Sequence, residues 1–354
     1  LKADEATQWV EIPATVTGAW IRAKAGRDVA KASVTFQYAA EDGRANERGS
    51  IFKSLSQAGD ASSQGAFLLT RGANLRTLSV LAATMTPDQT TVGAAYELSA
   101  DLKLTKMADQ KVAAFVQKNT PIPTGIITAD DASVIFEESG FRWRLPRSPS
   151  AAHDGLLGRS ALRKAREVCT ERDMLQSHGT FYELPALNAK GAIRMRPIAT
   201  SDAAVHDYCS YRGLLVLSGI SPEAAKDDRH VIRSDDGQAA VWVGAADDLW
   251  KLGKPRGFGG PWLNTTVTGG TPSDPYLMTA YDEKTLTLRN HGTKAARISV
   301  QLDVTGDGKT APYRVLEVPA GGQVVHAFER SLNAYWIRFV ADTDGVFSAQ
   351  LEYK

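Results

Sequence analysis

The segment from Ser133 to Leu145 reads SVIFEESGFRWRL and decides the fold class of this chain. Its two halves, 133–136 and 141–145, are rich in β-branched and aromatic residues, and the second alternates apolar with polar side chains. Two strand-like runs joined by a short connection that contains glycine are typical of a β-hairpin. The segment therefore predicts two antiparallel strands with a turn at residues 138–140.

The same pattern recurs along the chain. Further strand-like runs lie at 34–38, 67–69, 180–184, 193–198, 205–217, 239–243 and 286–288. Helical spacing of apolar residues is limited to two short segments, 109–117 and 157–168. Many short strands at close intervals predict an all-β fold, a β-propeller-like repeat of small antiparallel sheets with a C-terminal β-sandwich-like extension.

One internal repeat is clear. VEIPA at 10–14 and WIR at 20–22 precede a strand that ends at Tyr38, and LEVPA at 316–320 and WIR at 336–338 precede one that ends at Tyr353. We interpret these blocks as two copies of one three-strand unit whose tryptophan anchors the core. A segment rich in Gly, Pro, Thr and Ser at 262–275 predicts a boundary between a propeller-like domain, 1–265, and a sandwich-like region, 266–354.

Composition excludes several classes of protein. The 354 residues include 41 basic and 40 acidic side chains, so the formal charge is +1 and a nucleic-acid partner is not expected. No apolar stretch reaches the roughly 18–20 residues that span a bilayer, which predicts no membrane span. Two cysteines, Cys169 and Cys209, exclude a disulfide-dense scaffold; they are expected to be buried thiols, and a single bridge between them is left open.

Residues 170–262 carry a resemblance to known sequences. Its motifs are HGTFYELP at 178–185, YCSYRGLLVL at 208–217 and DLWKLGKP at 248–255. This stretch resembles uncharacterised proteins of polysaccharide-degrading bacteria, and its architecture looks like the β-propeller carbohydrate enzymes, such as ulvan lyases and rhamnose–glucuronate lyases. The resemblance implies a secreted or periplasmic carbohydrate-active protein whose partner is an acidic polysaccharide or oligosaccharide. No catalytic residue is carried over from it.

The segment 172–233 is the richest in residues that carry chemistry. An Arg neutralises a uronate carboxylate, and a His or Tyr removes the adjacent proton or protonates the leaving oxygen, so this mixture favours β-elimination beside a uronate. The predicted catalytic residues are His178, His206, Tyr208, Tyr211 and Arg212. The predicted substrate-binding residues are Arg172, Tyr182, His230, Arg233, Trp250 and Lys254.

Other functions stay open at this point. A glycoside hydrolase on the same scaffold needs two facing carboxylates, and no spacing singles out a pair among the available acidic residues. A non-catalytic carbohydrate-binding or structural module would use Trp250 and Trp262 as platforms for sugar rings. Each predicted site residue also has a structural alternative: His178 stands before a glycine, as a turn residue does, and Tyr182 suits core packing.

Signals for metals and cofactors are weak. The sequence has no zinc-protease, nucleophile-elbow or phosphate-binding-loop motif, so no metal site and no cofactor are predicted. Residues 303–308, DVTGDG, resemble a calcium loop in composition but lack the remaining oxygen ligands. A hairpin turn is predicted there, and a structural calcium ion is left open.

Overall fold

The computed structural model describes residues 44–86, 89–119, 127–153, 165–167 and 173–354. Strands dominate these residues and form three small four-stranded sheets, a further four-stranded sheet and a seven-stranded sheet. Within them, no helix is both long enough and apolar enough to cross a membrane. The prediction of an all-β fold, with small propeller-like sheets and a C-terminal sandwich-like part, is confirmed.

The regular elements of the described residues follow in chain order. The strands are β1 (Ser63–Arg71), β2 (Thr77–Met85), β3 (Thr90–Leu98), β4 (Leu104–Lys106), β5 (Ile127–Ala129), β6 (Val134–Glu138), β7 (Phe141–Leu145), β8 (Ala165–Glu167), β9 (Asp173–Ser177), β10 (Thr180–Leu184), β11 (Arg196–Thr200), β12 (Tyr208–Tyr211), β13 (Leu214–Leu217), β14 (Val231–Arg233), β15 (Ala240–Gly244), β16 (Gly257–Val267), β17 (Tyr276–Leu277), β18 (Lys284–Asn290), β19 (Ala296–Asp303), β20 (Ala311–Val318), β21 (Gln323–Ala327), β22 (Trp336–Ala341) and β23 (Gly345–Tyr353). The α-helix is α1 (Lys111–Asn119), and short 3₁₀ turns lie at Ser50–Phe52, Ala73–Leu75, Ala151–His153, Leu187–Ala189, Gly191–Arg194 and Ala246–Lys251.

The three small sheets are antiparallel. Their strand orders are β1-β2-β3-β4, β11-β10-β9-β8 and β12-β13-β15-β14. The edge strand β12 of the third sheet contacts β1 of the first and β8 of the second, so the three sheets meet along their edges. Apolar side chains from neighbouring sheets share two buried cores, which is how units this small become stable together.

Helix α1 covers the first small sheet. Val116 is fully buried against Leu81 of β2, and Val112 packs against the same cluster. Residues four apart lie on one helical face, so the helix predicted at 109–117 is confirmed.

Three hairpins use the same two-residue turn. Ser139-Gly140, His178-Gly179 and Arg212-Gly213 all have positive φ at both positions, between 51° and 81°. These values match the type I′ turn, which suits the right-handed twist of paired strands and needs glycine at its second position. The hairpin predicted at 133–145 is confirmed, with β6 paired to β7.

The sandwich is made of the two remaining sheets. One has the order β16-β23-β18-β21, and the other has the order β20-β19-β22-β17-β7-β6-β5. The hairpin β6–β7 joins the second sheet because β7 runs parallel to β17 beside it. Large side chains such as Trp336 and Phe339 fill the core between the two sheets.

Two sequence predictions need correction. The helix predicted at 157–168 is wrong at its C-terminal end, because Ala165–Glu167 is strand β8 and pairs with β9. The strand predicted at 193–198 begins only at Arg196, because Gly191–Arg194 forms a 3₁₀ turn.

The C-terminal copy of the repeat is not one small sheet. Its first two strands, β20 and β22, lie on either side of β19, and its third strand, β23, belongs to the opposite sheet. Trp336 is buried in the core, as predicted. The copy at 10–38 lies outside the described residues.

The predicted domain boundary between 265 and 266 falls inside β16, which pairs with β23 from Gly257 onward. Pairing along the whole strand places its first half in the sandwich as well. The division of the chain into two domains stays a prediction.

Candidate functional site

A cleft of about 590 Å³ opens beside the third small sheet. One wall comes from residues 50–54, around the first 3₁₀ turn, and the other from residues 221–230, the connection that leads into β14. The two walls are far apart in sequence, and the backbone N–H of Ser221 joins them by donating to the carbonyl oxygen of Ser54 at 2.8 Å.

Trp242 of β15 supports both walls from below. Its indole is fully buried and stacks on Phe52, with ring centroids 4.7 Å apart, and on His230, with centroids 5.1 Å apart. The indole Nε1–H donates to the carbonyl oxygen of Ile51 at 2.8 Å. Because β15 pairs with β14, this arrangement fixes the position of His230 at the start of that strand.

Asp228 is the most firmly held carboxylate of the cleft. One carboxylate oxygen accepts the hydroxyl of Ser54, and the other accepts the backbone N–H of His230 at 2.9 Å. A carboxylate oxygen accepts hydrogen bonds, so these two donors fix the direction in which the carboxylate points. Asp228 is therefore a pre-oriented carboxylate at the edge of the cleft.

His230 lines the cleft, as expected for a residue predicted to bind substrate. Its Nδ1 lies 3.0 Å from the carbonyl oxygen of Val243, which can only accept, so Nδ1 carries the proton. The ring Nε2 is enclosed within the protein. The geometry favours a residue that positions Asp228 through its backbone N–H over one that contacts substrate through its ring.

Arg233, also predicted to bind substrate, holds the cleft loop in place. Its guanidinium donates to the side chain of Gln64 at 2.8 Å and to the carbonyl oxygen of Ala224 at 3.2 Å. Ala224 lines the cleft, so Arg233 ties this wall to strand β1. The contacts are those of a structural clamp.

The rim of the cleft carries exposed charges of both signs. Glu223 and Asp227 are acidic, whereas Lys53 and Arg229 are basic, and all four side chains are exposed. Serine hydroxyls at Ser50 and elsewhere add donors and acceptors. This lining suits a ligand rich in hydroxyl groups.

The predicted catalytic histidines lie in different surroundings. His178 is buried in the turn between β9 and β10, and its Nδ1 accepts the backbone N–H of Ser148 at 2.7 Å. His206 is fully buried and packs edge-on against Phe67, with ring centroids 4.8 Å apart. Neither ring is open to solvent, and the expectation that the two meet at one catalytic site stays a prediction.

The predicted catalytic tyrosines are also interior. Tyr208 donates its hydroxyl to the carbonyl oxygen of Met174 at 2.8 Å, and Tyr211 donates to that of Arg76 at 3.0 Å. Burial raises the pKa of the Tyr211 hydroxyl, and the adjacent Arg212 charge opposes this shift. Arg212 itself is an exposed turn residue. A catalytic role for these residues stays a prediction, and their hydrogen bonds to main-chain carbonyls are structural ones.

Two of the predicted substrate-binding residues lie outside the cleft. Tyr182 is fully buried in the core that the second small sheet shares with the sandwich. Lys254 forms an ion pair with Asp282, whose Oδ2 lies 2.7 Å from its Nζ. Neither residue lines the cleft.

The tryptophans do not form an open sugar platform. Trp262 is buried in the sandwich core, so its predicted role as a platform is wrong. Trp250 is half-buried and packs against the core under the cleft. Arg172 and Cys169 lie outside the described residues, and Cys209 is buried, as predicted.

Residues 303–308 form the predicted hairpin turn. The two carboxylate oxygens of Asp303 accept the backbone N–H groups of Gly306, Asp307 and Gly308. Among the described ranges, no group of three or more His, Cys, Asp or Glu side chains is arranged to hold a metal ion.

Sequence reasoning missed Ser54, Glu223 and Asp228. A local signal exists in DDRH at 227–230, where a carboxylate stands two residues before a histidine at the start of a strand. No local signal links this motif to residues 50–54, because only the tertiary fold brings the two walls together.

Comparison with known proteins does not assign the chain. No protein-family description matches it, and no curated protein matches its sequence. Solved structures with a weak likeness include a GH32 β-fructofuranosidase of Bombyx mori, at 8% identity over 83% of this chain and 80% of that one, with a TM-score of 0.18.

Two further glycosidases show a likeness of the same quality. An exo-β-1,3-galactanase of Phanerochaete chrysosporium has 9% identity over 85% of this chain and 99% of its own, with a TM-score of 0.18. A GH43 arabinoxylan arabinofuranohydrolase of Bacillus subtilis has 12% identity over 82% of this chain and 78% of its own, with a TM-score of 0.17. A structure of infectious bursal disease virus has a TM-score of 0.20. Scores this low carry no argument, so the fold assignment rests on the sheets themselves.

Proposed function

We propose that this chain is a carbohydrate-active protein that hydrolyses a glycosidic bond in the cleft between residues 50–54 and 221–230. The observation that carries the proposal is the pre-oriented Asp228 carboxylate, held by Ser54 and by the backbone of His230 in a cleft that also contains Glu223 and Asp227. The sequence resemblance to proteins of polysaccharide-degrading bacteria agrees with a saccharide substrate.

The roles follow from the two carboxyl groups that glycoside hydrolysis requires. Two hydrogen-bond donors hold Asp228 in one orientation, so it serves as the base or nucleophile. Glu223 and Asp227 are exposed on the same wall, and either one supplies the proton to the leaving oxygen. The serine hydroxyls bind sugar hydroxyl groups.

Hydrolysis is favoured over β-elimination on geometric grounds. Elimination beside a uronate needs an accessible His or Tyr next to a cation, whereas Tyr208 and Tyr211 are buried and donate to main-chain carbonyl oxygens. The cleft instead presents carboxylates. Lys53 and Arg229 at its rim leave room for an acidic sugar, so the substrate panel below includes one.

The test is a panel of neutral and uronate-containing polysaccharides incubated with the wild type and with Asp228→Asn. Release of reducing ends without the ultraviolet absorbance of an unsaturated uronate identifies hydrolysis. Loss of a base or nucleophile is expected to lower kcat by about 10²–10⁴-fold. Asp235→Asn, at an exposed turn away from the cleft, is the matched control and is expected to keep full activity.

Three results would overturn the proposal: no reducing ends from any polysaccharide, ultraviolet absorbance from a uronate substrate, or equal activity in Asp228→Asn and the wild type. Thermal unfolding of each variant separates lost chemistry from lost folding. If Asp228→Asn does not fold, Glu223→Gln together with Asp227→Asn takes its place.

A further inference from the structure

Four tyrosines meet where the second small sheet packs on the sandwich. Tyr182 comes from β10, Tyr276 from β17, Tyr281 from the following loop and Tyr353 from β23, and all four are buried. Tyr281 stacks on Tyr353 with ring centroids 4.1 Å apart, and Tyr276 lies 6.0 Å from Tyr353 by the same measure. We call these four residues the tyrosine cluster.

The hydroxyls of the tyrosine cluster are only partly used. Tyr353 donates to the carbonyl oxygen of Leu277 at 2.7 Å, whereas the hydroxyls of Tyr182 and Tyr281 are enclosed and have no hydrogen-bond partner among the described residues. The Tyr276 hydroxyl is enclosed and has no hydrogen-bond partner among the described residues. Burial, then the neighbouring Tyr353, hold the pKa of Tyr276 well above its usual value, so this hydroxyl remains a donor.

Lys284 lies beside the tyrosine cluster, and Lys254 is connected to it through the carboxylate of Asp282. Lys284 of β18 stands opposite Tyr353 in the strand ladder, is only 2% exposed, and its Nζ has no hydrogen-bond partner in the described part of the chain. Lys254 is paired with Asp282, and the charge of Asp282 also reaches Lys284. The carboxylate of Asp282 is thus paired with one ammonium group and lies close enough to a second, buried one to act on it by its charge.

Burying these hydrogen-bond donors lowers the stability of the fold unless an acceptor binds to them. A buried cation or hydroxyl without a partner loses its hydration and gains nothing in return. Oxyanions offer several strong acceptor atoms and a negative charge, which is what an ammonium group together with phenolic hydroxyls binds. We propose that the tyrosine cluster, with Lys254 and Lys284, binds a small oxyanion of the carboxylate, sulfate or phosphate class.

The ion pair is the most exposed part of this group of residues. The side chains of Lys254 and Asp282 retain 15% and 8% exposure, respectively, whereas Lys284 and the phenols are enclosed. The site therefore takes a single anionic group and not an extended chain. It is separate from the proposed hydrolytic cleft, whose lining contains none of these residues.

The test is the thermal unfolding temperature of the wild type, Lys284→Met and Tyr276→Phe in sodium sulfate, sodium phosphate, sodium glucuronate or glucose, each compared with chloride at equal ionic strength. A ligand at about ten times its Kd is expected to raise the wild-type Tm by about 1–3 °C. Lys284→Met is expected to lose this shift, and Tyr276→Phe to lose most of it. Lys226→Met, an exposed lysine, is expected to keep it.

Comparing the anions shows whether the ligand is an inorganic ion or the carboxylate of an acidic sugar. A shift with sulfate and phosphate but not glucuronate identifies an inorganic ion, whereas a shift with glucuronate but not glucose identifies the carboxylate of an acidic sugar. Equal shifts in the wild type and both variants would reveal a general salt effect and overturn the proposal, as would the absence of any shift. Tyr276→Phe, which removes one oxygen atom, decides the matter if Lys284→Met does not fold.

Discussion

The imidazole of His230 lies face to face with the indole of Trp242, with ring centroids 5.1 Å apart and planes inclined by only 9°. The same indole stacks on Phe52 and donates to the carbonyl oxygen of Ile51. One buried side chain therefore supports both walls of the cleft, although the walls come from segments about 170 residues apart. The order of the cleft depends on this contact.

Trp242→Phe is expected to lower the free energy of unfolding by about 1–3 kcal/mol, because it removes buried area and leaves the Ile51 carbonyl without its donor. Urea denaturation followed by circular dichroism measures the change. Trp250→Phe is the matched control, since Trp250 is only half-buried, and a smaller loss is expected there. Equal losses would mean that Trp242 has no special role in the cleft.

Gly65 of β1 lies so close to His206 that a side chain does not fit between them. A Cβ atom at Gly65 would stand 2.5 Å from His206 Nδ1 and 3.0 Å from Met85 Sδ. Gly65→Ala is expected to cost about 1–3 kcal/mol of stability through overpacking. Gly93→Ala, where the nearest atom would be 3.4 Å away, is expected to change stability by about 0.5 kcal/mol or less.

A double-mutant cycle tests the cause of that loss. In Gly65→Ala combined with His206→Ala, the new methyl group enters the space that the imidazole has vacated. The double variant is therefore expected to be more stable than the sum of the two single changes predicts. Additive losses would show that His206 does not limit the space at Gly65.

The hairpins were predictable because their signals are local. In β6–β7 and β9–β10, an X-Gly pair separates two strand-like runs, and glycine in that position marks the type I′ turn directly. The same signal accounts for His178, which stands in such a turn as the residue before glycine. A His-Gly pair between two strands is thus better explained by its turn than by catalysis.

The candidate site was not predictable in the same way. On β10 both Phe181 and Tyr182 are buried, because one face packs on the small-sheet core and the other on the sandwich. Alternation in sequence cannot tell a tyrosine at a cleft from a tyrosine in a second core. Asp228 and Ser54 come into contact only through tertiary packing, so no pattern within either segment predicts this contact.

The two turn residues His178 and Arg212 provide a matched pair for a stability test. Both have φ near 50°, where a non-glycine residue is strained, but Arg212 is exposed whereas His178 is buried and accepts the Ser148 N–H. Arg212→Asn is expected to stabilise the chain by about 0.5 kcal/mol, because Asn tolerates this conformation better. His178→Asn is expected to destabilise it by about 1–3 kcal/mol. Thermal or urea unfolding gives both values, and a gain in both would show that the His178 ring contributes nothing.

Lys284 gives the protein a characteristic dependence on pH. Burial lowers the pKa of Lys284 to about 8, with the charge of Asp282 opposing the shift, whereas an unfolded lysine titrates near 10.5. Between these two values the unfolded chain holds more protons than the folded one, so stability rises with pH across that window. Below pH 8 both states are protonated, so burial of the Lys284 ammonium group lowers the free energy of unfolding by its full amount, about 3 kcal/mol as an upper value.

In chloride buffer, Lys284→Met is therefore expected to be more stable than the wild type by about 1–3 kcal/mol at pH 7, and this advantage is expected to shrink as the pH rises from 8 to 10.5. Urea unfolding at a series of pH values measures it, with Lys226→Met as the exposed control. A Lys284→Met advantage that does not change with pH would show that packing, and not the buried ammonium group, is responsible.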